Sequence, residues 1–131
     1  MNRIVFVILG ISLSGIAFAK PIYLECDVHS YEKQQIFTVK VDEDSGKVTH
    51  SQPDGFAFNA DGFFSADKIT YQKIEVNSGI KITLRIEISR TDLSATYVTD
   101  LVSIQFPNQI SNSGTPMVGA CKIDEVTERK F

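Results

Sequence analysis

Apolar and polar residues alternate strictly over residues 80–90, in the stretch IKITLRIEISR. A period of two places every second side chain on the same face of an extended chain. The pattern predicts a strand with one buried face and one solvent-exposed face, which is typical of antiparallel sheets. Three side chains are expected to be buried and three to stay in water: Ile82, Leu84 and Ile86 inside, and Lys81, Arg85 and Glu87 outside.

Shorter stretches with the same alternation lie on both sides of this strand. Turn residues separate the stretches, and no run of ten residues has the period of a helix. The further predicted strands lie at 22–28, 36–41, 68–76, 95–99, 101–106 and 117–123. The sequence therefore predicts an all-β domain, a small antiparallel barrel or sandwich of seven to eight strands with one disulfide.

Two tight turns are predicted from local chemistry. Asn77, Ser78 and Gly79 connect the strands at 68–76 and 80–90 into a hairpin. The alternation slips by one residue at 72–73, which predicts a β-bulge there. The second turn is DEDSGK at 42–47. Its carboxylates resemble a calcium loop, but Gln52 stands where an EF-hand requires glutamate, which favours a plain hairpin turn.

Four of the nine phenylalanines lie in the segment 53–64, PDGFAFNADGFF. Phe56 and Phe58 have the same parity on an extended chain and therefore share a face. Phe63 and Phe64 are adjacent and must point in opposite directions. We expect the first pair and one of the second pair to fill the core. The remaining ring either lies under a neighbouring loop or contacts a partner.

Residues 1–19 contain Arg3, an apolar run and the small-x-small triplet Ala17-Phe18-Ala19. These are the three parts of a secretory signal peptide. A membrane anchor is the alternative, but the run is shorter than the roughly 20 apolar residues that a spanning helix needs. We expect cleavage after Ala19. The product would be a single domain at 20–131 without a membrane anchor, periplasmic or secreted.

The two cysteines, Cys26 and Cys121, lie near the two ends of the expected domain. An exported protein meets an oxidising environment, which favours a disulfide between them. Two buried free thiols are the alternative. A zinc site is not predicted, because two cysteines without a histidine partner at ligand spacing do not complete a zinc ligand set.

The expected cleavage removes Arg3 and changes the formal charge of the chain from −3 to −4. A weakly acidic chain without a basic cluster argues against nucleic acid and anionic lipid as partners. His29 and His50 are expected at the surface or at a strand edge, since neither has a catalytic or metal-ligating residue at motif spacing. The sequence therefore predicts no cofactor, no metal site and no catalytic residue.

The longest irregular segment, 107–116, is rich in Asn, Ser, Gly and Pro. Loops carried by a rigid sheet concentrate binding residues. We therefore expect a non-catalytic binding or inhibitory module whose partner is another exported protein. The residues expected to bind are Phe63, Phe64, Asn112, Ser113 and Thr115. The alternatives are a structural or accessory envelope protein that pairs at a strand edge, and a small hydrolase with a noncontiguous site.

Four short stretches are YLEC at 23–26, ISRT at 88–91, GAC at 119–121 and RKF at 129–131. Together they resemble a pattern of small uncharacterised exported proteins of Gram-negative bacteria, which runs Tyr-x-Cys, Ile-x-Arg-Thr, Gly-x-Cys and Lys-Phe; the first stretch here is one residue longer. The resemblance implies export and no assigned activity. The chain is more loosely similar to periplasmic inhibitors of C-type lysozyme, which are small antiparallel barrels with a disulfide. Met117 stands where their Ser-Gly-x-x-Tyr loop has tyrosine.

Overall fold

A computed structural model describes residues 20–106 and 111–124 of the chain. This part of the chain contains ten strands and no helix, which confirms the all-β prediction. The strands are β1 (Ile22–His29), β2 (Gln34–Asp42), β3 (Lys47–Ser51), β4 (Ala57–Asp61), β5 (Phe63–Phe64), β6 (Lys68–Asn77), β7 (Ile80–Ser89), β8 (Ser94–Ser103), β9 (Ser111–Ser113) and β10 (Met117–Ile123).

All strands belong to one antiparallel sheet. The order is β4-β3-β2-β1-β10-β8-β7-β6-β5, and β9 pairs with β8 beside this path. The two ends of the order are connected by the chain itself, because only Gly62 separates β4 from β5, and β4 also contacts β6. The sheet therefore curls into a nearly closed barrel of nine strands, which decides between the barrel and the sandwich.

Gly62 marks the point where the chain leaves β3 and turns toward β6. A Cβ atom at this position would lie 2.7 Å from the ring of Phe64 and 2.9 Å from a methyl group of Val48. Separations this short are not found for real side chains. Glycine therefore lets one continuous segment pair first with β3 and then with β6, which brings the barrel close to closure.

The barrel has a lower and an upper end, which we name by their loops. The lower end holds Lys20, the β2–β3 turn and Asp124, whose backbone N–H donates to the Tyr23 carbonyl oxygen over 2.8 Å. The upper end holds the β1–β2 turn and the β6–β7 turn. The chain therefore enters and leaves the described domain at the same end.

Cys26 and Cys121 form a disulfide between β1 and β10, which confirms the predicted bond. The two residues face each other in the strand register, with 4.0 Å between their Cα atoms. Two residues away, Gly119 has no room for a side chain, because a Cβ atom would overlap the carbonyl oxygen of Asp27. Glycine lets the two backbones approach at this point. The bond also indicates that the chain matures in an oxidising environment.

β6 and β7 form the predicted hairpin. Ser78 and Gly79 connect them with φ values of 52° and 77°, and positive φ at both positions is the requirement of a type I′ turn. The register with β7 is continuous over all 10 residues of β6, so the predicted bulge is wrong. The apolar pattern slips because Ile74 and Val76 lie exposed on the outer face of the sheet.

β7 follows the predicted burial only in its lower part. Leu84 and Ile86 are buried as predicted, but Ile82 is half-buried and Ile80 is exposed. The upper parts of β6 and β7 are less buried than their lower parts, on both faces of the sheet. On the outer face Glu87 is half-buried rather than exposed, since its carboxylate lies against a lysine of β6.

The strands predicted at 95–99 and 101–106 are a single strand, β8, which ends at Ser103. Ile104 and Phe106 were expected to continue the strand, but they lie beyond it and are 52% and 54% exposed. β10 has the predicted bounds, 117–123. Period-two alternation therefore located the six longest of the described strands, β1, β2, β6, β7, β8 and β10, but was less accurate for their ends.

Candidate functional site

The phenylalanine-rich segment divides as its parity predicts. Phe58 is 8% exposed, and Phe56 packs against it with 5.5 Å between the ring centroids. Phe64 turns inward and packs on the core. Phe63 points outward and is 67% exposed. One ring of the segment, that of Phe63, is therefore mostly exposed to solvent.

His50 lies at the centre of the core, so the prediction of a surface histidine is wrong for this residue. Its imidazole stacks between the rings of Phe37 and Phe58, and each centroid is 4.8 Å away. The burial follows from β3, where Val48 and His50 share the inward face. His29, by contrast, is exposed at the upper end of β1, as predicted.

Both ring nitrogens of His50 are hydrogen-bonded inside the barrel. Nε2 donates to Oε1 of Gln52 over 2.9 Å, since a carbonyl oxygen can only accept, and Nδ1 therefore accepts from the Tyr71 hydroxyl at 2.7 Å. The Tyr97 hydroxyl donates to the same Gln52 oxygen over 3.1 Å. Burial lowers the pKa of His50 and raises the pKa of Tyr71 and of Tyr97. These four side chains, which we call the core network, are therefore neutral.

The core network stabilises the barrel and has no ring nitrogen open for chemistry. A general base or a metal ligand needs a nitrogen that substrate or metal can reach. The imidazole of His50 is completely buried and uses both of its nitrogens within the fold. Among the residues that the structure describes, no three His, Cys, Asp or Glu side chains are grouped as a metal site.

The barrel is expected to lose stability in mild acid, because His50 is neutral in the core. A histidine in an unfolded chain titrates near pH 6.5, whereas burial lowers the pKa of folded His50. Below pH 6.5 the unfolded chain binds more protons, so the free energy of unfolding falls with pH by up to about 1.4 kcal/mol per pH unit. Above that pH the stability from this group is fully present.

Urea unfolding between about pH 5 and pH 8 measures this dependence. The slope below pH 6.5 should disappear in a His50→Gln variant, whatever the absolute stability of that variant. A His29→Gln variant is the matched control, since His29 is exposed, and it should keep the slope. An unchanged slope in the His50→Gln variant would contradict the assignment to the core network.

A cleft of about 430 Å³ opens at the upper end of the barrel. One wall is the β1–β2 turn 30–33, whose first and last residues are joined by a backbone hydrogen bond of 2.8 Å. The other wall is the segment 114–117, which Gly114 N–H anchors on the Thr99 carbonyl oxygen over 2.8 Å. Tyr97 and Thr99 of β8 line the cleft between the two walls. We call this site the upper cleft.

The upper cleft is connected to the core network through one side chain. Tyr97 lines the cleft, is 8% exposed, and donates its hydroxyl hydrogen to Gln52. Gln52 is in turn bonded to the buried imidazole of His50. The network therefore fixes the orientation of a ring that forms part of the cleft.

Tyr31 stands at the tip of the β1–β2 turn with its side chain fully in solvent, at 102% of the reference exposure. Glu32 and Lys33 beside it are exposed as well and line the upper cleft. Tyr31 is absent from the set of residues predicted to bind. The sequence carried one signal for it, a lone aromatic residue in the polar run between β1 and β2, HSYEKQ.

The residues predicted to bind do not form one surface. Thr115 is exposed and lines the upper cleft, whereas Phe63 lies on β5, with β6 and β7 between it and β8. Asn112 and Ser113 belong to β9, which pairs with the upper part of β8, and their side chains are outside the described part of the structure, as are residues 107–110. Phe64 contributes to the core instead of a surface.

A second, smaller cavity of about 270 Å³ lies at the lower end of the barrel. Its rim includes Arg90 and Glu43, which are joined by two hydrogen bonds of 3.0 and 2.9 Å. The bonds raise the pKa of Arg90. The chain enters and leaves the described domain beside this cavity, at Lys20 and Asp124, and we assign it no ligand.

No helix in the described ranges is long and apolar enough to cross a membrane. Comparisons of the chain with protein-family models, with curated proteins and with solved structures found no significant match.

Proposed function

We propose that the protein is an exported, non-catalytic module that binds another exported protein through the upper cleft, with Tyr31 as its anchor. The observation that carries the proposal is the complete exposure of Tyr31 on a short turn beside a cleft of about 430 Å³. An aromatic ring in water gains stabilisation when a partner covers it. Tyrosine is also enriched among the residues that dominate the energy of protein interfaces.

The two walls of the upper cleft are held by the same covalent bond. β1 leads into the turn 30–33, and the segment 114–117 leads into β10. The disulfide between Cys26 and Cys121 joins these two strands. A surface that is already ordered loses less conformational entropy on binding. The disulfide therefore supports recognition as well as stability.

The chemistry of the upper cleft suits a protein surface of mixed polarity. Glu32 and Lys33 bring charges of opposite sign, and Tyr97, Thr99 and Thr115 bring hydroxyl groups. An interface rim is polar and pairs its hydrogen-bonding groups with those of the partner, around a central aromatic contact. Balanced charge gives no preference for a strongly anionic ligand such as nucleic acid.

The compartment is part of the same proposal. Disulfides persist in oxidising environments such as the periplasm and the cell exterior. Residues 1–19 have the pattern of a secretory signal peptide. A periplasmic or secreted protein with a rigid cleft would meet other exported proteins, which makes these the partner class.

A Tyr31→Ser variant is expected to lose capture of the partner while its free energy of unfolding changes by less than about 0.5 kcal/mol. The whole side chain is already in solvent, so its removal leaves no cavity. The immobilised protein is incubated with periplasmic extract and culture fluid, and captured proteins are quantified for each variant. C-type lysozyme, suggested by the looser resemblance, serves as a defined probe in a parallel inhibition assay.

Two further variants decide where the contact lies. Thr115→Lys, on the opposite wall of the upper cleft, should reduce capture as Tyr31→Ser does. Phe63→Ser changes a second exposed aromatic residue that is remote from the cleft and is the matched control. Loss of capture in Phe63→Ser alone would place the contact on the outer face of β5 and contradict the proposal for the upper cleft.

A further inference from the structure

The upper part of β6 is an open edge of the sheet. β5 pairs with β6 only at Ile69 and Thr70. Among the strands that the structure describes, none pairs with β6 on this side above Thr70. β4 contacts β6 without forming a ladder with it. The strand continues to Asn77, so residues 71–77 of β6 present an edge that no described strand pairs with.

Alternating residues of β6 direct their backbone groups to this edge. The Asp67 carbonyl oxygen accepts from Arg90 N–H over 2.7 Å, on the side of β7, whereas the Lys68 carbonyl oxygen accepts from Ser65 N–H over 3.0 Å, on the side of β5. The alternation continues along an antiparallel strand. The N–H and C=O groups of Gln72, Ile74 and Val76 therefore point away from β7.

The edge lacks two of the features that protect open strands, a proline and a bulge. β6 is 10 residues long, contains no proline, and stays in continuous register with β7. On its outer face Ile74 and Val76 are 48% and 63% exposed. A long, regular edge with exposed apolar side chains pairs readily with another strand.

We propose that two copies of the chain pair through this edge, with β6 antiparallel to β6 and Ile74 at the two-fold axis. Ile74 then faces Ile74 of the second copy, and Gln72 faces Val76. All three residues with unpaired backbone groups obtain partners in this register. The apolar side chains on the outer face cover one another across the axis. Identical patches meet, as two-fold symmetry requires.

The charges on the inner face of β6 select this register. Lys73 and Glu75 flank Ile74, and their charged groups lie 3.5 Å apart within one chain. With Ile74 at the axis, Lys73 of each copy faces Glu75 of the other, which gives two pairs of opposite charge. A shift of the axis by one residue keeps the backbone pairing but places lysine opposite lysine or glutamate opposite glutamate. Like charges directly opposite each other destabilise a sheet.

The proposed pairing leaves the upper cleft free. β7 separates β6 from β8, whose Tyr97 and Thr99 line the cleft. Each dimer would carry two clefts. Two linked binding sites increase the apparent affinity for a partner that presents more than one epitope. Pairing through β6 goes beyond the proposed function, and its test is independent of whether the upper cleft binds a partner.

The first test is the mass of the protein in solution. The chain is produced from residue 1 in a host that exports it, and sedimentation equilibrium is measured over a series of concentrations. We expect the mass of two chains at the higher concentrations. Lys73→Glu and Glu75→Lys, each made alone, should both shift the protein to the monomer, because each places like charges opposite each other.

Mixing these two variants distinguishes an interface from an effect on the fold. One variant carries two carboxylates on its edge and the other carries two ammonium groups, so the mixture should form a heterodimer although each variant alone is monomeric. Mixing does not restore the ion pair within either chain, so a defect of the monomer would persist. Melting temperatures of both variants, measured alone, check that they fold.

A cross-link tests the register directly. Residues exchanging both hydrogen bonds across an antiparallel pair have Cα atoms about 5.5 Å apart, which suits a disulfide. Ile74→Cys should therefore cross-link two chains under mild oxidation, and Gln72→Cys, which faces Val76 in this register, should not. A chain that is monomeric at all concentrations, a dimer that survives both charge reversals, or a cross-link through Gln72→Cys instead of Ile74→Cys would each overturn the proposal.

Discussion

Removal of the Cys26–Cys121 disulfide is expected to lower the free energy of unfolding by about 4 to 5 kcal/mol. The two cysteines are 95 residues apart in sequence, so the bond restricts nearly the whole unfolded domain. The restriction grows with the logarithm of loop length and is therefore large here. Domains of this size are stable by only about 5 to 15 kcal/mol, so one bond accounts for a large share of the stability.

The double variant Cys26→Ala/Cys121→Ala is compared with the native chain by equilibrium unfolding in urea. Reduction of the native protein should produce the same shift in midpoint, and the double variant should be insensitive to the reductant. These two controls separate the loss of the bond from the loss of two buried sulfur atoms. A difference in stability below about 1 kcal/mol would show that the bond contributes little beyond the pairing of β1 with β10.

The position of the bond explains why it should matter. β1 and β10 are the first and last strands of the described domain, and they are neighbours in the sheet. Pairing of strands so far apart in sequence is costly in entropy and slow to form. The bond holds this pairing in place. It also fixes the two strands that lead into the walls of the upper cleft.

The longer strands were predictable, because period-two alternation reports directly which side chains face a core, whereas the short strands β3, β4, β5 and β9 were not predicted. The hairpin of β6 and β7 was recognisable from its two sides and from the Ser78-Gly79 turn. The cysteine pairing followed from there being only two. Ile82 shows the limit of the pattern. Alternation predicts which face a residue lies on, but burial also depends on what packs against that face, and the upper part of β7 is only partly buried.

Closure of the barrel was not predictable from periodicity. It depends on the segment 57–64, which pairs with β3 in its first part and with β6 in its second. The division occurs at Gly62, where a side chain would collide with Phe64 and Val48. These collisions involve residues from other parts of the chain. A glycine in an Asp-Gly pair favours a turn, and sequence alone does not show that this one bends a strand.

The core network was hidden for a similar reason. His50 has no histidine, cysteine or aspartate at a motif spacing, and in isolation it is typical of a surface residue. One signal was present: His50 has the parity of Val48 in β3, which placed it on the inward face. Its partners, however, come from other strands and from the β3–β4 turn. Only the assembled barrel shows that both ring nitrogens of His50 are hydrogen-bonded within the core.

Replacing Phe58 by alanine is expected to lower the free energy of unfolding by about 3 to 5 kcal/mol. The ring is 8% exposed and covers one face of His50, with 4.8 Å between the ring centroids. Its loss removes buried apolar area and also uncovers a buried polar ring, so that both a cavity and a weakened network contribute. The ring also lies 5.3 Å from the Lys73 ammonium group, which approaches its face.

Phe63→Ala is the matched control, since it deletes the same type of side chain five residues later in the same segment, at a site that is 67% exposed. Its cost should stay below about 1 kcal/mol, because little of the ring is withdrawn from water in the native barrel. Equilibrium unfolding in urea compares the two variants with the native chain. Equal losses would show that Phe63 is covered in solution, and the division of this segment into core and surface rings would then be wrong. A large loss for Phe58→Ala alone would show that the segment stabilises the fold through the ring that stacks on His50.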